Sequence, residues 1–184
     1  MSGRGIERDD TKAITSWPVP TKLREVRGFL GLCGYYRRFV NNFSEIAAPL
    51  HSSTKNNATF QWTTEGHIAF DELKDRLTKA PILALPGDEG TYVLDTNASE
   101  QGIGAVLSQV QDGEEKVISY ASRLYSAAEK RYCVTRKELL AIVFFPETLP
   151  PEPSGQVVRR ENGSRSLAVA DKNTTANWPA KPMA

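Results

Sequence analysis

The stretch Tyr92-Val-Leu-Asp-Thr-Asn-Ala-Ser99 decides the fold class of this chain, because a short apolar run that ends in polar residues is typical of a β-strand. A second strand-like run is Gly104-Ala-Val-Leu-Ser-Gln-Val110, and a third is Lys116-Val-Ile-Ser-Tyr-Ala121. The pair Asp112-Gly113 between these two runs is a strong β-hairpin signal. The three runs therefore predict an antiparallel meander.

A helix is predicted after the meander. Ser126 and Glu129 have the spacing of a capping box, in which a hydroxyl and a carboxylate satisfy free backbone N–H groups at a helix start. We expect the helix to run, with a break, as far as Phe145 and to end at Pro146. The strands and this helix together predict an α/β unit over residues 91–145.

The first half of the chain has helical periodicity. Residues 1–20 are polar and predict an irregular segment, and Thr21 is a good N-cap for the first helix. Apolar residues then recur at spacings of three and four, which is typical of one buried helix face. These residues are Leu23, Val26, Leu30, Cys33, Tyr36 and Val40. A helical region is therefore predicted over residues 21–80.

The end of this helical region is less regular. Residues 41–59 indicate a short helical turn followed by a loop. Thr64 can cap a second helix, which we expect to end before Pro81. Residues 81–90 contain prolines and glycines, and they predict the boundary between the helical region and the α/β unit.

The chain loses its pattern after the last predicted helix. Residues 146–184 hold six of the eleven prolines and few apolar residues, and those few have no period. Such a composition cannot bury enough apolar surface to offset the entropy that ordering removes. We therefore expect a disordered tail over this range, and a partial α/β unit whose sheet edges stay uncovered.

Composition limits the function classes only weakly. The 184 residues carry a net charge of +1, so charge alone gives no argument for a nucleic-acid partner. The two cysteines, Cys33 and Cys133, are too few for a disulfide framework, which favours reduced thiols. No apolar run resembles a signal peptide or a membrane span. We expect a cytoplasmic or nuclear protein that is not secreted and has no membrane partner.

Several segments, in this order, resemble one family. The resemblance covers about residues 3–145 and is to the reverse transcriptase of gypsy-type LTR retrotransposons, from the thumb and connection region to the start of the RNase H domain. The segments that carry it are Trp17-Pro-Val-Pro20, Glu25–Val40, Phe43–Leu50, Phe60-Gln-Trp62, Ala80-Pro-Ile-Leu83, Tyr92–Gln109, Tyr120-Ala-Ser-Arg123 and Lys137-Glu-Leu-Leu-Ala-Ile142.

The resemblance implies metal-dependent chemistry. RNase H domains cut the RNA of an RNA–DNA hybrid with two Mg²⁺ (or Mn²⁺) ions held by acidic residues. By resemblance, Asp95 is the aspartate of the first strand and Glu138 the glutamate of the first helix, both catalytic and metal-binding positions. The family has two further aspartates, and no motif after Pro146 matches either. Two carboxylates alone should hold the metal weakly or not at all.

The polymerase chemistry of the family is not expected either. Its palm carries paired aspartates on a hairpin, upstream of the segments that match here. Asp9 and Asp10 are also paired aspartates, but they lack the preceding aromatic residue and the flanking apolar strands of the palm motif. We therefore expect a reverse transcriptase/RNase H fragment that lacks both family activities.

The family also implies a nucleic-acid partner, either an RNA–DNA hybrid or a template–primer duplex, and no small-molecule substrate. Tyr35, Arg37 and Arg38 could contact its backbone as a thumb helix does, although the arginines could equally be solvated surface residues. Two alternatives stay open. The chain could be a co-opted, non-catalytic module that binds nucleic acid or a protein partner, or it could form an active enzyme with a second chain that supplies the missing acids.

The loss of pattern after Pro146 suggests a shifted reading frame. The codons of Glu147-Thr-Leu-Pro150, read one nucleotide later, permit Lys-His-Phe-Arg, a segment of the kind that the family carries after this helix. The same offset at Asn162-Gly-Ser-Arg165 permits Thr-Asp-His, the motif of the family's third catalytic aspartate. A retained intron or an unrelated exon would give a similarly patternless tail, and the encoding nucleotides decide between them.

Overall fold

The computed structural model describes residues 5–54, 60–88, 90–148, 157–161 and 164–170, and from residue 146 onward it describes the backbone only. The α-helices in these residues are α1 (Arg8–Thr15), α2 (Leu23–Tyr35), α3 (Phe43–Ser53), α4 (Thr64–Thr78) and α5 (Val134–Thr148). The strands are β1 (Tyr92–Ala98), β2 (Gly102–Gln111), β3 (Glu114–Leu124), β4 (Val157–Glu161) and β5 (Ser164–Ala170). The strands form one sheet in the order β3-β2-β1-β4-β5.

Helices α1 to α4 form a helical unit around one apolar core. The stripe predicted on α2 is buried at Val26, Leu30 and Cys33. Phe29 is fully buried at the centre, where its ring lies 4.5 Å from that of Phe70 and 6.0 Å from that of Trp17. This packing of aromatic side chains contributes to the stability of the assembled helices, because short helices are marginal on their own.

Two parts of the helical unit differ from the prediction. Residues 1–20 are not irregular throughout, because α1 occupies Arg8–Thr15 and buries Ile14 completely in the helical core. Residues 41–59 hold more than a helical turn, because α3 has eleven residues and continues through Pro49. Tertiary packing explains both: a single buried residue carries no periodicity, and the buried face of α3 outweighs the hydrogen bond that Pro49 cannot make.

The three-stranded antiparallel meander is confirmed. β1 pairs with β2 and β2 pairs with β3, both antiparallel. Asp112 (φ 55°) and Gly113 (φ 81°) form the turn between β2 and β3 with the left-handed backbone that such two-residue turns need. Helix α5 covers one face of this sheet, and the helical unit lies against the other. The expected fold class, a helical region followed by an RNase H-like α/β unit, is therefore confirmed.

The two faces of the sheet follow from strand alternation. On one face, Leu94 and Ile103 belong to an apolar cluster that includes Ala141 and Phe145 of α5. On the other face, Tyr120 packs against the core of the helical unit. Adjacent strand residues point to opposite faces, so the face of any residue in the meander can be assigned from these contacts.

The last helix extends further than predicted. Ser126 and Glu129 make the reciprocal hydrogen bonds of the capping box, but they open a short 3₁₀ turn at Glu129–Arg131. Helix α5 begins after a break, as expected, but it continues past Pro146. Pro146 lies in the last turn, where the missing N–H forfeits a single hydrogen bond and does not end the helix at once.

The sheet also continues into the range that was predicted to be a disordered tail. β4 pairs with β1 in parallel, and β5 pairs with β4 in antiparallel orientation. The sequence gives no signal for these strands because backbone groups at an open edge of β1 can pair with a further strand whatever its side-chain pattern. The rest of the predicted tail, at 149–156, 162–163 and 171–184, lies outside the described residues.

Candidate nucleic-acid interface

Two of the predicted contact residues lie at the end of α2 and on the short connection to α3. The side chain of Tyr35 is 76% exposed, and its ring meets that of Tyr36 edge-on at 4.9 Å. Arg38 is half-buried with its guanidinium 5.6 Å from the Phe39 ring. Arg38, Tyr35 and Glu7 line a cavity of about 360 Å³. An aromatic face and a cation therefore lie together at the surface.

The Nε atom of Arg38 is buried and has no hydrogen-bond partner within the described part of the chain. A buried donor without a partner costs free energy, and a bound acceptor would remove that cost. Arginine binds phosphate through several parallel N–H donors. Arg38 therefore offers a donor to an anionic oxygen ligand, beside the Glu7 carboxylate that lines the same cavity.

Arg37 has a different role from Arg38, although the two are adjacent. Its Nη2 donates a hydrogen bond of 2.7 Å to the backbone carbonyl of Ser122 in β3, and its guanidinium lies 5.9 Å from the Phe43 ring. These contacts join the α2–α3 connection to the sheet. The nucleic-acid contact predicted for Arg37 stays a prediction. Within the fold, this residue holds the α2–α3 connection against β3.

The first turn of α3 completes a joint between the helical unit and the sheet. The backbone N–H of Ser44 donates to Oγ of Ser122 at 2.9 Å, and Oγ of Ser44 donates to the Ser122 carbonyl at 2.8 Å. The next residue, Glu45, accepts a hydrogen bond from the Ser99 hydroxyl in the turn between β1 and β2. Ser122 is 4% exposed, so water competes little for these bonds. The joint fixes the α2–α3 connection against the sheet.

The two predicted catalytic carboxylates do not face each other. Asp95 follows Leu94 in β1, and Leu94 packs in the apolar cluster that contains Ala141 and Phe145 of α5. Because strand residues alternate, the Asp95 side chain points to the opposite face, toward the helical unit. Glu138 is half-buried on α5. The sheet therefore lies between the Asp95 side chain and the helix that carries Glu138.

The donor set does not fit a two-metal centre. Two catalytic ions about 3.5–4 Å apart need several carboxylates around them, and Mg²⁺ requires oxygen ligands in near-octahedral geometry. No group of three or more His, Cys, Asp or Glu side chains that could hold a metal occurs among the residues that the structure describes. The Asp95 side chain also lies on the sheet face that α5 does not cover. The metal-binding role predicted for this pair stays a prediction.

A polar cavity does lie beside Asp95. It has a volume of about 400 Å³, and side chains of the α2–α3 connection and of β1 line it together. Its polar side chains are Asn41, Asn42, Asp95, Thr96 and Asn97. No sequence motif had predicted a role for these asparagines. Strand alternation would have placed Asn97 on the face of Asp95, whereas the approach of Asn41 and Asn42 depends on tertiary packing.

Two shifted pKa values report structural roles. The Tyr36 hydroxyl donates a hydrogen bond to the Asp10 carboxylate, which raises the pKa of Tyr36 to about 12 and ties α1 to the end of α2. Asp10 thus has a structural contact between α1 and the end of α2. Burial raises the pKa of Cys33 to about 12, so its thiol stays protonated at neutral pH, whereas Cys133 is exposed.

Comparisons with known proteins agree with this architecture. Residues 62–151 match the family described as the RNase H-like domain found in reverse transcriptase. The chain is 45% identical over 138 residues to the retrovirus-related Pol polyprotein from transposon 297 of Drosophila melanogaster, covering 74% of this chain and 13% of that protein. It is 37% identical over 141 residues to the Pol polyprotein from transposon 412 of the same organism, covering 76% and 11%.

A solved structure has a similar fold. The foamy viral protease-reverse transcriptase in complex with RNA/DNA hybrid superposes with a TM-score of 0.74 at 26% identity. The match covers 86% of this chain and 22% of that one. The fold and the family match define the class as the RNase H-like region of a reverse transcriptase together with its preceding helical region.

The relatives make the assignment more specific. The chain belongs to the Pol polyproteins of gypsy-type LTR retrotransposons, which confirms the resemblance found in the sequence. It spans only 13% and 11% of the length of the two Drosophila relatives. Among the described helices, none combines the length and apolarity required to cross a bilayer.

Proposed function

We propose that this Pol segment binds an RNA–DNA hybrid or a template–primer duplex through Tyr35 and Arg38 and does not cut it. The observation that carries the proposal is the pairing of an exposed tyrosine with a half-buried arginine whose Nε lacks a partner among the described residues. The similarity to a reverse transcriptase that was solved with RNA/DNA hybrid supports it. The proposal treats the segment as a binding module of its polyprotein.

The chemistry of the two side chains suits a nucleic-acid backbone. Arg38 provides charge-assisted hydrogen bonds to phosphate oxygens, which position a duplex without reading its sequence. The Tyr35 ring can stack on an exposed base or sugar, and such stacking tolerates any sequence. The net charge of +1 provides no long-range attraction, so binding depends on these local contacts.

The arrangement of the carboxylates supports the absence of cleavage that we propose. The Asp95 side chain lies on the sheet face that α5 does not cover, and within the described ranges no cluster of three or more metal-binding side chains occurs. A hybrid bound at Arg38 would therefore meet no pair of ions that could activate water and stabilise the leaving oxygen. DNA synthesis and RNA cleavage are activities of the family that we do not propose for this segment. Its cytoplasmic or nuclear location stays a prediction.

A binding measurement with charge-matched variants tests the proposal. Arg38→Ala should weaken binding to a fluorescent RNA–DNA duplex about tenfold and lower the slope of log K against log salt by about one, because one phosphate contact is lost. Tyr35→Ala should weaken binding to a similar extent, about five- to tenfold, with little change of the salt slope. Fluorescence anisotropy over a series of salt concentrations measures both quantities.

The control is Arg24→Ala, which removes the same charge from an exposed position on α2 that lines neither cavity. It should leave affinity and salt slope nearly unchanged. Arg37→Ala should instead lower thermal stability, because it breaks the joint with Ser122. Equal weakening by Arg24→Ala and Arg38→Ala would show that binding is nonspecific and would contradict the assigned surface.

A further inference from the structure

His67 lies close to the start of α4, where it faces the aromatic segment that precedes the helix. Its Nδ1 accepts a hydrogen bond of 3.3 Å from the indole Nε1–H of Trp62, and the two rings meet edge-on at 6.2 Å. The His67 side chain is 48% exposed, so protons from the solvent can reach it. One titratable ring therefore holds a neighbouring aromatic side chain in place.

The contacts of His67 define which of its nitrogens carries the proton. A neutral imidazole has one N–H donor and one acceptor, and here Nδ1 is the acceptor for Trp62. The proton of the neutral ring is therefore on Nε2, which lies 3.4 Å from Oδ2 of Asp71 one turn further along α4. A second proton has to bind to Nδ1, the atom that accepts the indole N–H.

Trp62 fixes the segment Phe60–Trp62 to the helical unit. Its ring meets that of Phe70 edge-on at 5.8 Å, and Phe70 in turn packs against Phe29 in the core. The Phe60 ring lies 6.4 Å from the Trp62 ring. An indole has a single donor and no acceptor, so the hydrogen bond to His67 uses all of the polar capacity of this side chain.

The start of α4 does not depend on the Trp62–His67 contact. The Thr63 hydroxyl accepts a hydrogen bond of 3.1 Å from the Gly66 N–H, and the Thr63 carbonyl accepts one of 3.0 Å from the His67 N–H. These bonds cap the helix with groups that do not titrate. A change at the imidazole is therefore confined to the residues that precede Thr63.

We propose that His67 is a pH-sensitive latch: protonation at Nδ1 releases the Trp62 indole and frees the Phe60–Trp62 segment, while α4 and the aromatic core stay folded. Histidine is the side chain whose charge ordinarily changes between about pH 5 and 8. A protonated imidazole has donors at both nitrogens, so two N–H groups face each other where one hydrogen bond existed. The Asp71 carboxylate still contacts the charged ring through Nε2.

The titratable groups around His67 come from two helices. On α4 itself, Asp71 faces Nε2, and Glu65 lies in the first turn. On α3, His51 lies in the last turns, which pack against the first turn of α4. Helix α1 meets α4 at the opposite end. His51 is the only other histidine of the chain, so it is the alternative source of a response in this pH range.

The test follows the exchange of indole protons with water by NMR on the ¹⁵N-labelled chain from pH 5 to pH 8. Trp62→Phe identifies the Trp62 signal among those of the three tryptophans. The Trp62 exchange rate in the wild type, divided by the rate in His67→Gln at the same pH, should rise about two- to tenfold from pH 8 to pH 5, as expected for the loss of one hydrogen bond. This division removes the pH dependence of the exchange reaction itself.

Release of the segment has a second readout in the same samples. The nuclear Overhauser effect between the Trp62 and Phe70 rings, which lie 5.8 Å apart, should weaken from pH 8 to pH 5 in the wild type. It should stay constant with pH in His67→Gln, because a glutamine side chain does not titrate. The amide protons of Gly66 and His67 should keep their protection throughout, since they are bonded to Thr63.

The matched control is His51→Gln, which removes the other histidine and should leave the Trp62 response as it is in the wild type. Trp17, which packs against Phe29, is the internal reference, and its exchange ratio should stay near one. A Trp62 ratio that does not change with pH, or a change that His51→Gln abolishes, would overturn the inference. An equal change at Trp17 would also overturn it, because the whole helical unit would then be loosening.

Discussion

Phe29→Ala is expected to lower the free energy of unfolding by about 3–5 kcal/mol, the usual cost of truncating a buried phenylalanine. Phe29 is fully buried, and its ring packs between those of Trp17 and Phe70. Truncation removes the contact that joins α2 to α4 and leaves a cavity that rigid neighbours cannot fill. A loss of this size is a large part of the 5–15 kcal/mol that typically stabilises a domain.

Urea unfolding followed by far-UV circular dichroism measures this effect without relying on tryptophan fluorescence, which the change itself would alter. Ile82→Ala is the control, because Ile82 is 77% exposed and should change stability by no more than about 0.5 kcal/mol. A loss below about 1 kcal/mol for Phe29→Ala would mean that the aromatic packing does not organise the helical unit.

Arg123→Ala is expected to be the second most damaging change, with a loss of about 2–3 kcal/mol from charge-assisted hydrogen bonds. Arg123 in β3 donates to both carboxylate oxygens of Glu129 at 2.9 and 3.0 Å. Its guanidinium also lies 4.4 Å from the Phe144 ring on α5. One side chain therefore ties the last strand of the meander to the 3₁₀ turn and to α5.

The same contact predicts a pH dependence. Hydrogen bonds from Arg123 and from the Ser126 backbone lower the pKa of Glu129 from 4.5 to about 2. The carboxylate therefore binds protons more readily in the unfolded chain, and its stabilisation is present above pH 4.5 and lost as the pH falls toward 2. Glu129→Gln should flatten the stability curve across this window and should lower stability at neutral pH.

Urea unfolding at a series of pH values measures this effect, and a double-mutant cycle with Arg123→Ala and Glu129→Gln isolates the pair. The control is Glu114→Gln, which neutralises an exposed carboxylate on β3. Parallel pH curves for wild type and Glu129→Gln, or a coupling energy near zero, would contradict the assignment of the low pKa to this contact.

The meander and the last helix were predictable because local signals agreed with tertiary structure. The Asp112-Gly113 turn and the Ser126–Glu129 capping box set the ends of elements from short-range chemistry alone. Helix α1 was not predictable, because its one fully buried residue, Ile14, leaves no period to detect. β4 and β5 were missed for a similar reason, since edge pairing uses backbone groups that every sequence has.

The sequence predicted which elements carry the candidate site residues, but not how those elements pack together. The motifs place Asp95 on a strand and Glu138 on a helix, but the face that α5 covers depends on packing between Leu94 and Ala141. Arg37 and Arg38 are adjacent in sequence and differ in role, because only Arg37 reaches the Ser122 carbonyl. Contacts between residues far apart in sequence cannot be predicted from the local pattern of residue types.

The most direct test of the central claim is a cleavage assay in which binding is measured in the same sample. Purified chain at saturating concentration is incubated with Mg²⁺ or Mn²⁺ and a hybrid whose RNA strand carries a label. The account predicts a bound hybrid with intact RNA, in the wild type and in Asp95→Asn and Glu138→Gln alike. Metal-dependent cutting by the wild type that either variant abolishes would contradict it.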